Sequence, residues 1–228
     1  MPIYELTEYP VFPTPDLAEQ DGLLAVGGDL SPQRLLLAYR MGIFPWYSRG
    51  SPIMWWSPDP RLVLFLDELH VSRSLRQFLK KNIYRISLDT AFEDVIHACA
   101  EVHSHRAGDT WITEEMIDAY VELYRLGYAH SVEVWYDERL VGGLYGVSLG
   151  GAFFGESMFT LMSNASKVAL VRLVEKLRSW DFQFIDCQVV TEHLKRMGAR
   201  EIPRREFLVQ LRKALKMPTR RGRWEIEI

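Results

Sequence analysis

Between Gly42 and Arg61 the chain packs three tryptophans and four prolines into twenty residues, as Gly42-Ile-Phe-Pro-Trp46-Tyr-Ser and Trp55-Trp-Ser-Pro-Asp-Pro-Arg61. Proline removes a backbone donor and fixes φ, so this stretch cannot be an ordinary helix, and the expectation is a stiff, irregular loop rather than a buried strand. Loops run over the surface, where an indole is poorly placed unless something covers it. Two readings stay open at this point. The segment is either a rigid aromatic platform for a flat or apolar ligand, or a junction whose tryptophans pack against a neighbouring domain.

The 228 residues are enough for one large domain or two small ones, and 48% hydrophobic content supports a real core. No apolar run approaches the length of a membrane span, and the Met-Pro-Ile-Tyr-Glu start lacks a basic-then-apolar leader pattern. Cys99 and Cys187 are too few for a disulfide framework. The expectation is a monomeric, cytoplasmic protein without a membrane partner. The net charge of −3 hides an asymmetry: residues 195–223 hold eleven Lys/Arg against Glu201 and Glu206. Such segregation fits a polyanion partner on one surface and a cationic partner on another, or simply a solvated basic end. A second basic cluster, Arg73, Arg76 and Lys80, has helical spacing over 71–81 opposite Leu75, Phe78 and Leu79. That face could follow a phosphate backbone or merely be solvated.

The first sixty residues read as short elements and turns, with Ser31 an N-cap and Pro32 the first residue of a helix. The texture changes at Leu62, which divides the chain into 1–61 and 62–228. Beyond it come a strand at 62–66, the basic helix, a strand at 84–88, a helix opened by the capping-box spacing Thr90-Ala-Phe-Glu93, and a helix over 113–127. A hairpin turning at Asp137-Glu-Arg139, a strand at 151–159, a long helix at 167–180 capped by Ser163-Asn-Ala-Ser166, a buried strand at 182–190 and two further helices follow. Strands in a meander, then helix, strand, helix and strand, make an α+β pattern that resembles the GNAT acyltransferase core.

Two strand ends carry the candidate chemistry. Gly155-Glu-Ser-Met-Phe159 sets Glu156 among large apolar side chains, and Phe184-Ile-Asp-Cys-Gln188 puts Asp186 and Gln188 on one face by the period of two. Burying a carboxylate without a partner costs several kcal/mol, so each either faces a cleft or answers a buried cation or backbone amides. Carboxylates in a cleft suit acid–base work or the holding of an amine. Cys187 falls on the other face and reads as packing. His97, Cys99, His103 and His105 lie close in sequence but lack metal-ligand spacing, and no P-loop or dinucleotide fingerprint is present.

The chain resembles the leucyl/phenylalanyl-tRNA–protein transferases of bacteria from about Phe12 to Phe207. The strings that carry the resemblance are Gly22-Leu-Leu-Ala-Val-Gly-Gly-Asp-Leu-Ser-Pro32, the two proline–tryptophan strings, Thr110-Trp-Ile-Thr113, Gly155 to Phe159, Asn164-Ala-Ser-Lys167, Asp186-Cys-Gln188 and Ile202-Pro-Arg204. Thr160 and Ser163 depart from it, standing where Ser and Glu are expected, and Leu194-Lys-Arg-Met197 varies a usual Ser-Leu pair. The resemblance implies a small N-terminal domain joined to a GNAT-like one, with no CoA, metal or other cofactor. It implies transfer of Leu, Phe or Met from aminoacyl-tRNA to acceptor proteins that begin with Arg or Lys, marking them for N-degron-dependent degradation. By matching position, Trp46 and Trp111 would flank the 3′-adenosine and the ester. Phe153 and Leu144 would line the side-chain pocket with Tyr120 nearby, and Glu156, Asp186 and Gln188 would meet the reacting amine. Arg76, Lys80 and Lys81 are the first choice for the tRNA body.

Two rival functions remain at this level. An acetyl-CoA-dependent N-acetyltransferase needs a glycine-rich pyrophosphate turn where Ser163-Asn-Ala-Ser-Lys167 has none. A non-catalytic RNA-binding module would use the basic patches and tryptophans but not the paired carboxylates.

Overall fold

The computed structural model describes residues 3–107 and 110–225, with the side chains of 105–107 left aside. Two sheets organise the chain. The smaller has the order β1 (Tyr4–Leu6), β2 (Leu23–Gly27), β4 (Met54–Trp56), β3 (Phe44–Pro45), with helix α1 (Pro32–Arg40) between β2 and β3. Ser31 caps α1 as expected, its Oγ accepting from Arg34 N at 3.4 Å, with Pro32 in the first turn.

The proline–tryptophan segment is more regular than its composition indicates. β3 and β4 pair antiparallel, Phe44 opposite Trp56 and Pro45 opposite Trp55. Pro45 is tolerated because β3 is an edge strand. Alternation then sends Trp55 fully into the core, where its indole N–H donates to Gly27 O at 2.9 Å, and leaves Trp56 half-buried. The expectation of an irregular loop with no buried strand is corrected: Pro45 lies in an edge strand, and the other three prolines flank the two short strands.

The larger sheet has the order β11 (Arg200–Ile202), β5 (Arg61–Phe65), β10 (Phe184–Gln188), β9 (Ala152–Thr160), β8 (Arg139–Leu149), β7 (Ala129–Tyr136), β6 (Arg85–Leu88). Every pairing is antiparallel except β9 with β10. The β7–β8 hairpin turns on Asp137 and Glu138, both with positive φ. β11 is a strand that the sequence periodicity does not reveal.

Helices cover both faces. Helices α3 (Phe92–Ala107), α4 (Glu114–Arg125) and α7 (Arg204–Ala214) give Val95, Tyr120 and Phe207 to a core that also takes Leu24, Leu35 and Trp55 from the first sixty residues. On the opposite face, α2 (Arg73–Leu79) and α5 (Ala165–Ser179) pack Leu75, Leu170 and Val174 on Leu64, Val132 and Phe153. A short α6 (Glu192–Arg196) lies between β10 and β11.

Two helix starts differ from expectation. The start of α3 is satisfied by Glu133 of β7, which is buried and accepts from Thr90 Oγ1 at 2.9 Å and Ala91 N at 3.4 Å, so Glu93 is free to pair with Arg125 on the surface. At α5 the cap residue is Asn164 in the left-handed region, with no side-chain capping bond. The basic side chains of the C-terminal segment are mostly exposed, but several are held in place. Lys195 pairs with Glu201, Arg200 with Glu68, and the guanidiniums of Arg220 and Arg221 sit over Trp180 and Tyr128.

Candidate active site

β9 and β10 run side by side for three residue pairs, the last being Phe154 with Asp186, and then part. The gap is the mouth of a cavity of about 860 Å³, with Gly155 to Thr160 on one wall and Cys187, Gln188 and Val189 on the other. Each wall carries an irregularity at the same level. In β9 the register against β8 shifts so that Glu156 is an extra residue between Gly155 and Ser157. In β10 the register against β5 shifts so that Cys187 is the extra residue, and Gln188 has φ of 61°. A bulge bends its strand and re-aims a side chain. Here the two bulges point Glu156 and Gln188 at each other, and Gln188 Nε2 donates to Glu156 Oε1 at 2.8 Å.

Glu156 is buried and ringed by donors. Tyr39 of α1 donates to Oε1 at 2.8 Å and Tyr120 of α4 donates to Oε2 at 2.9 Å, while the two phenol oxygens also touch one another. The two phenols and the carboxyl thus form one hydrogen-bonded cluster around Glu156. Burial pushes this carboxyl up from 4.5 to about 7, against the opposing pull of its Tyr39, Tyr120 and Gln188 hydrogen bonds, with nearby Asp186 adding to the rise. The same burial and the neighbouring carboxylate hold the Tyr39 and Tyr120 phenols well above their ordinary range, so both remain donors. The cluster is completed across the two sheets, since α1 belongs with the small sheet and α4 with the large one.

Asp186 has a different setting. It is fully buried at the closed end of the β9–β10 pairing, and Arg61 Nε and Nη2 clamp its two oxygens at 2.8 and 2.7 Å. Its Oδ1 also accepts from Gln188 N at 3.0 Å. The Arg61 guanidinium is held between the rings of Phe44 and Phe207, each 4.7 Å away. The period-two argument that puts Asp186 and Gln188 on one face does not survive the bulge at Cys187. The two side chains go to different partners, Asp186 to Arg61 and Gln188 to Glu156. With Nε2 spent on Glu156, the Gln188 amide oxygen is left as an acceptor.

The aromatic residues meet in the same hollow. Trp46, 41% exposed, and Trp111 both line it. Trp46 leans on Trp56 at 5.8 Å between ring centroids, and its carbonyl accepts from Trp56 Nε1 at 2.7 Å. Trp111 lies 6.4 Å from the ring of His103, whose Nε2 is 3.0 Å from Ser157 Oγ. Leu144, Phe153, Leu170 and Ile185 wall an apolar recess on the α5 side. Tyr120 stands one layer behind, reaching the cavity through Glu156.

The structure therefore brings together Trp46, Trp111, Leu144, Phe153, Glu156 and Gln188, with Tyr120 and Asp186 in contact behind them. It leaves Arg76, Lys80 and Lys81 away from the cavity, exposed on α2 and the turn after it. Sequence reading passed over Tyr39 and Arg61. Tyr39 is one residue of α1, and no local signal marks a tyrosine that meets its partner 81 positions later. Arg61 ends a string that stood out, but its pairing spans 125 positions. The cysteines are packing groups: burial raises the Cys99 thiol to about 12 and raises Cys187 as well. No cluster of three metal-ligating side chains occurs among the described residues, and the side chain of His105 lies outside them. Nor is any described helix long and apolar enough to cross a membrane.

Comparison with known proteins identifies the family of the chain. A family described as leucyl/phenylalanyl-tRNA protein transferase matches residues 63–212, and the N-terminal domain of the same family matches residues 28–59. The leucyl/phenylalanyl-tRNA–protein transferase of Anaeromyxobacter sp. (strain Fw109-5) is 63% identical over 227 residues, 100% of this chain and 97% of that protein. That of Myxococcus xanthus (strain DK1622) is 59% identical over 226 residues, 98% of this chain and 97% of that protein. Among solved structures, L-PGS from Bacillus licheniformis superposes with a TM-score of 0.43 at 11% identity, over 88% of this chain and 66% of that one. The cavity that gathers a buried carboxyl, an apolar recess and two indoles sits in a chain that belongs to the leucyl/phenylalanyl-tRNA–protein transferase family of aminoacyltransferases.

Proposed function

We propose that this chain moves Leu, Phe or Met from the 3′ end of aminoacyl-tRNA to the α-amino group of proteins beginning with Arg or Lys, and so marks them for N-degron-dependent degradation. The observation that carries the reading is the shared hollow of Trp46, Trp111, Glu156, Gln188 and the Leu144–Phe153 recess. A terminal adenosine fits between the indoles, a side chain without a branch at Cβ fits the recess, and the ester then lies over Gln188. In this reading residues 1–61 and 62–228 act as two units that close one site, since Tyr39 and Trp46 come from the first.

The reaction is aminolysis of an ester. A carbon–nitrogen bond forms, the bond from carbonyl carbon to ribose oxygen breaks, the nitrogen loses a proton and the ribose oxygen gains one. An α-amino group with a pKa of about 7.7–8.0 is partly neutral at neutral pH, so orientation does most of what is needed. Holding amine and carbonyl about 3–3.5 Å apart removes several kcal/mol from the barrier. The Gln188 amide oxygen accepts a hydrogen bond from the attacking amine and aims it. Glu156, whose carboxyl ionises near pH 7, holds the aminoacyl ammonium or takes the proton released by the amine. Asp186, its oxygens already holding Arg61 and the Gln188 amide, acts as a positioning residue for Gln188 rather than as the base itself. The tRNA body is held by Arg76, Lys80 and Lys81 through charge.

The test offers leucyl-tRNA, phenylalanyl-tRNA and methionyl-tRNA to peptides starting with Arg, Lys or Asp, with acetyl-CoA supplied in parallel. Transfer to the Arg and Lys peptides without acetylation is the expected result. Acetylation, or RNA binding without transfer, would replace this reading with one of its rivals.

A further inference from the structure

The back of the apolar recess is built by the end of the chain. After α7 the polypeptide doubles back over the large sheet. It is tied down by Thr219 Oγ1 accepting from Gly150 N at 2.9 Å, by Gly222 N donating to Gly127 O at 3.2 Å, and by Arg221 Nη2 donating to Leu126 O at 3.1 Å. These ties deliver Trp224, whose backbone N–H donates to the buried carboxylate of Asp89 at 2.7 Å and whose side chain is 2% exposed. Its indole stacks flat on His130, with ring centroids 3.7 Å apart and an interplanar angle of 8°. His130 is itself fixed, Nδ1 lying 2.8 Å from Asp89 Oδ2. So long a set of fastenings for one side chain near a terminus needs a reason beyond filling a gap.

The reason lies one strand over. His130 of β7 pairs with Gly146 of β8, and the ring of Phe153 lies over Gly146. A Cβ at Gly146 would come within 2.6 Å of that ring, so the absence of a side chain is what lets Phe153 lie down there. Trp224 stands beside it, 6.0 Å between ring centroids, with Phe182 and Trp180 completing the wall. Phe153 faces the cavity, whereas Trp224 does not line it. The Phe153 ring is therefore held with sheet backbone beneath it and an immobilised indole beside it.

We propose that Trp224, though it touches no substrate, sets the depth of the side-chain recess through Phe153, and so fixes how large an amino acid the site accepts. Trp224 lies beyond residues 63–212, the stretch matched by the main family description. The inference rests on the reading above, in which the recess takes the aminoacyl side chain. A smaller residue at 224 lets Phe153 retreat, which deepens the recess for aromatic side chains and loosens its grip on leucine.

The experiment measures kcat/KM for leucyl-, phenylalanyl- and tryptophanyl-tRNA with an Arg-initiated peptide in the full-length protein. Trp224→Leu and the milder Trp224→Phe are compared with Phe153→Leu, which alters the recess wall directly. The expected result is a rise of about threefold or more in the ratio of phenylalanyl to leucyl transfer for Trp224→Leu, on the scale of a partial methylene-sized change in the pocket. Trp224→Phe shifts the ratio in the same direction by less, and decides the matter should Trp224→Leu fail to fold by circular dichroism. Equal losses for all three charged tRNAs in the Trp224 variants would show packing alone and overturn the inference. If Phe153→Leu shifts the ratio while neither Trp224 variant does, the inference falls and the recess reading stands. If Phe153→Leu also leaves the ratio unchanged, both fall together.

Discussion

Two buried carboxylates stand on neighbouring strands of one sheet, Asp186 at the point where β9 and β10 last pair and Glu156 just past it. Asp186 meets a guanidinium in fork geometry, with two nearly parallel hydrogen bonds, and that cation is itself held between two phenyl rings. Glu156 meets only neutral donors, two phenols and an amide. Neutral donors compensate a buried charge incompletely, so the Glu156 carboxyl rises to about 7, where a proton can be gained or lost under physiological conditions. The contrast teaches that burial alone does not make a carboxyl reactive. What matters is whether a full opposite charge has already claimed it.

The sharpest way to break the comparison is to remove the claim on Asp186. Arg61→Met leaves a buried carboxylate unpaired, which costs about 3–5 kcal/mol, and a denaturant titration should show a loss of that size. Replacing both partners, as Arg61→Met with Asp186→Leu, should restore most of the stability because an apolar pair fills the same space. Turnover should stay low in the double variant, since nothing then fixes the Gln188 backbone. Recovery of turnover together with stability would show that Asp186 serves the fold alone.

Glu156→Gln tests the other half. The amide keeps a donor and an acceptor for Tyr39, Tyr120 and Gln188, so the fold should persist. It cannot ionise, however, and kcat/KM should fall by about 10²–10³-fold, the lower part of the range for a group that moves a proton. Asp186→Asn disturbs the Arg61 clamp and should reduce stability and turnover together, whereas Glu156→Gln should separate them.

How far these roles were legible in the sequence depends on the range of the interactions. The α+β order, the hairpin turn at Asp137 and Glu138, and the Ser31–Pro32 helix start could be read because local rules set them. Glu156, Asp186 and Gln188 stood out for a local reason too, as polar residues in apolar strands. Their division of labour was hidden, because a bulge is a property of strand pairing and leaves no mark on periodicity. Arg61 and Tyr39 were hidden likewise, each partner lying more than eighty positions away. The start of α3 makes the same point: Thr90-Ala-Phe-Glu93 has the spacing of a capping box, yet Glu133 from a distant strand accepts from Thr90 and Ala91. The tryptophan segment misled in the other direction, since its prolines looked disruptive, yet Pro45 falls on an edge strand where a missing donor costs little and the other three lie outside the strands.

The raised Glu156 carboxyl also makes a prediction about stability. The folded protein binds this proton more tightly than the unfolded chain does, so between about pH 4.5 and 7 the folded state keeps a proton that the unfolded state releases. The stabilisation is complete below the unfolded value and is lost as pH climbs through the folded one. The loss amounts to up to about 3 kcal/mol at one pKa unit per 1.4 kcal/mol. Thermal melts of the parent and of Glu156→Gln, taken from pH 5 to 8, should diverge in that direction, the variant lacking this decline. Parallel curves would place the Glu156 proton affinity near its ordinary value and remove the contrast with Asp186.

The smallest expected effect concerns charge that is not buried at all. Arg76, Lys80 and Lys81 lie in solvent, where each contact with a phosphate contributes modestly and is screened by salt. Replacing all three by alanine should raise KM for charged tRNA several-fold at low salt and reduce the slope of log KM against log salt by about two to three, at roughly 0.7–0.9 per phosphate contact. Aminoacyl-adenosine, which occupies the cavity and no more, should be used equally well by parent and variant. The exposed cations would then govern capture of the tRNA body while the buried carboxylates govern the step at the ester, each detectable without the other. Should aminoacyl-adenosine lose activity in the triple variant as well, α2 would be acting on the cavity itself, and the separation between surface charge and buried charge would have to be abandoned.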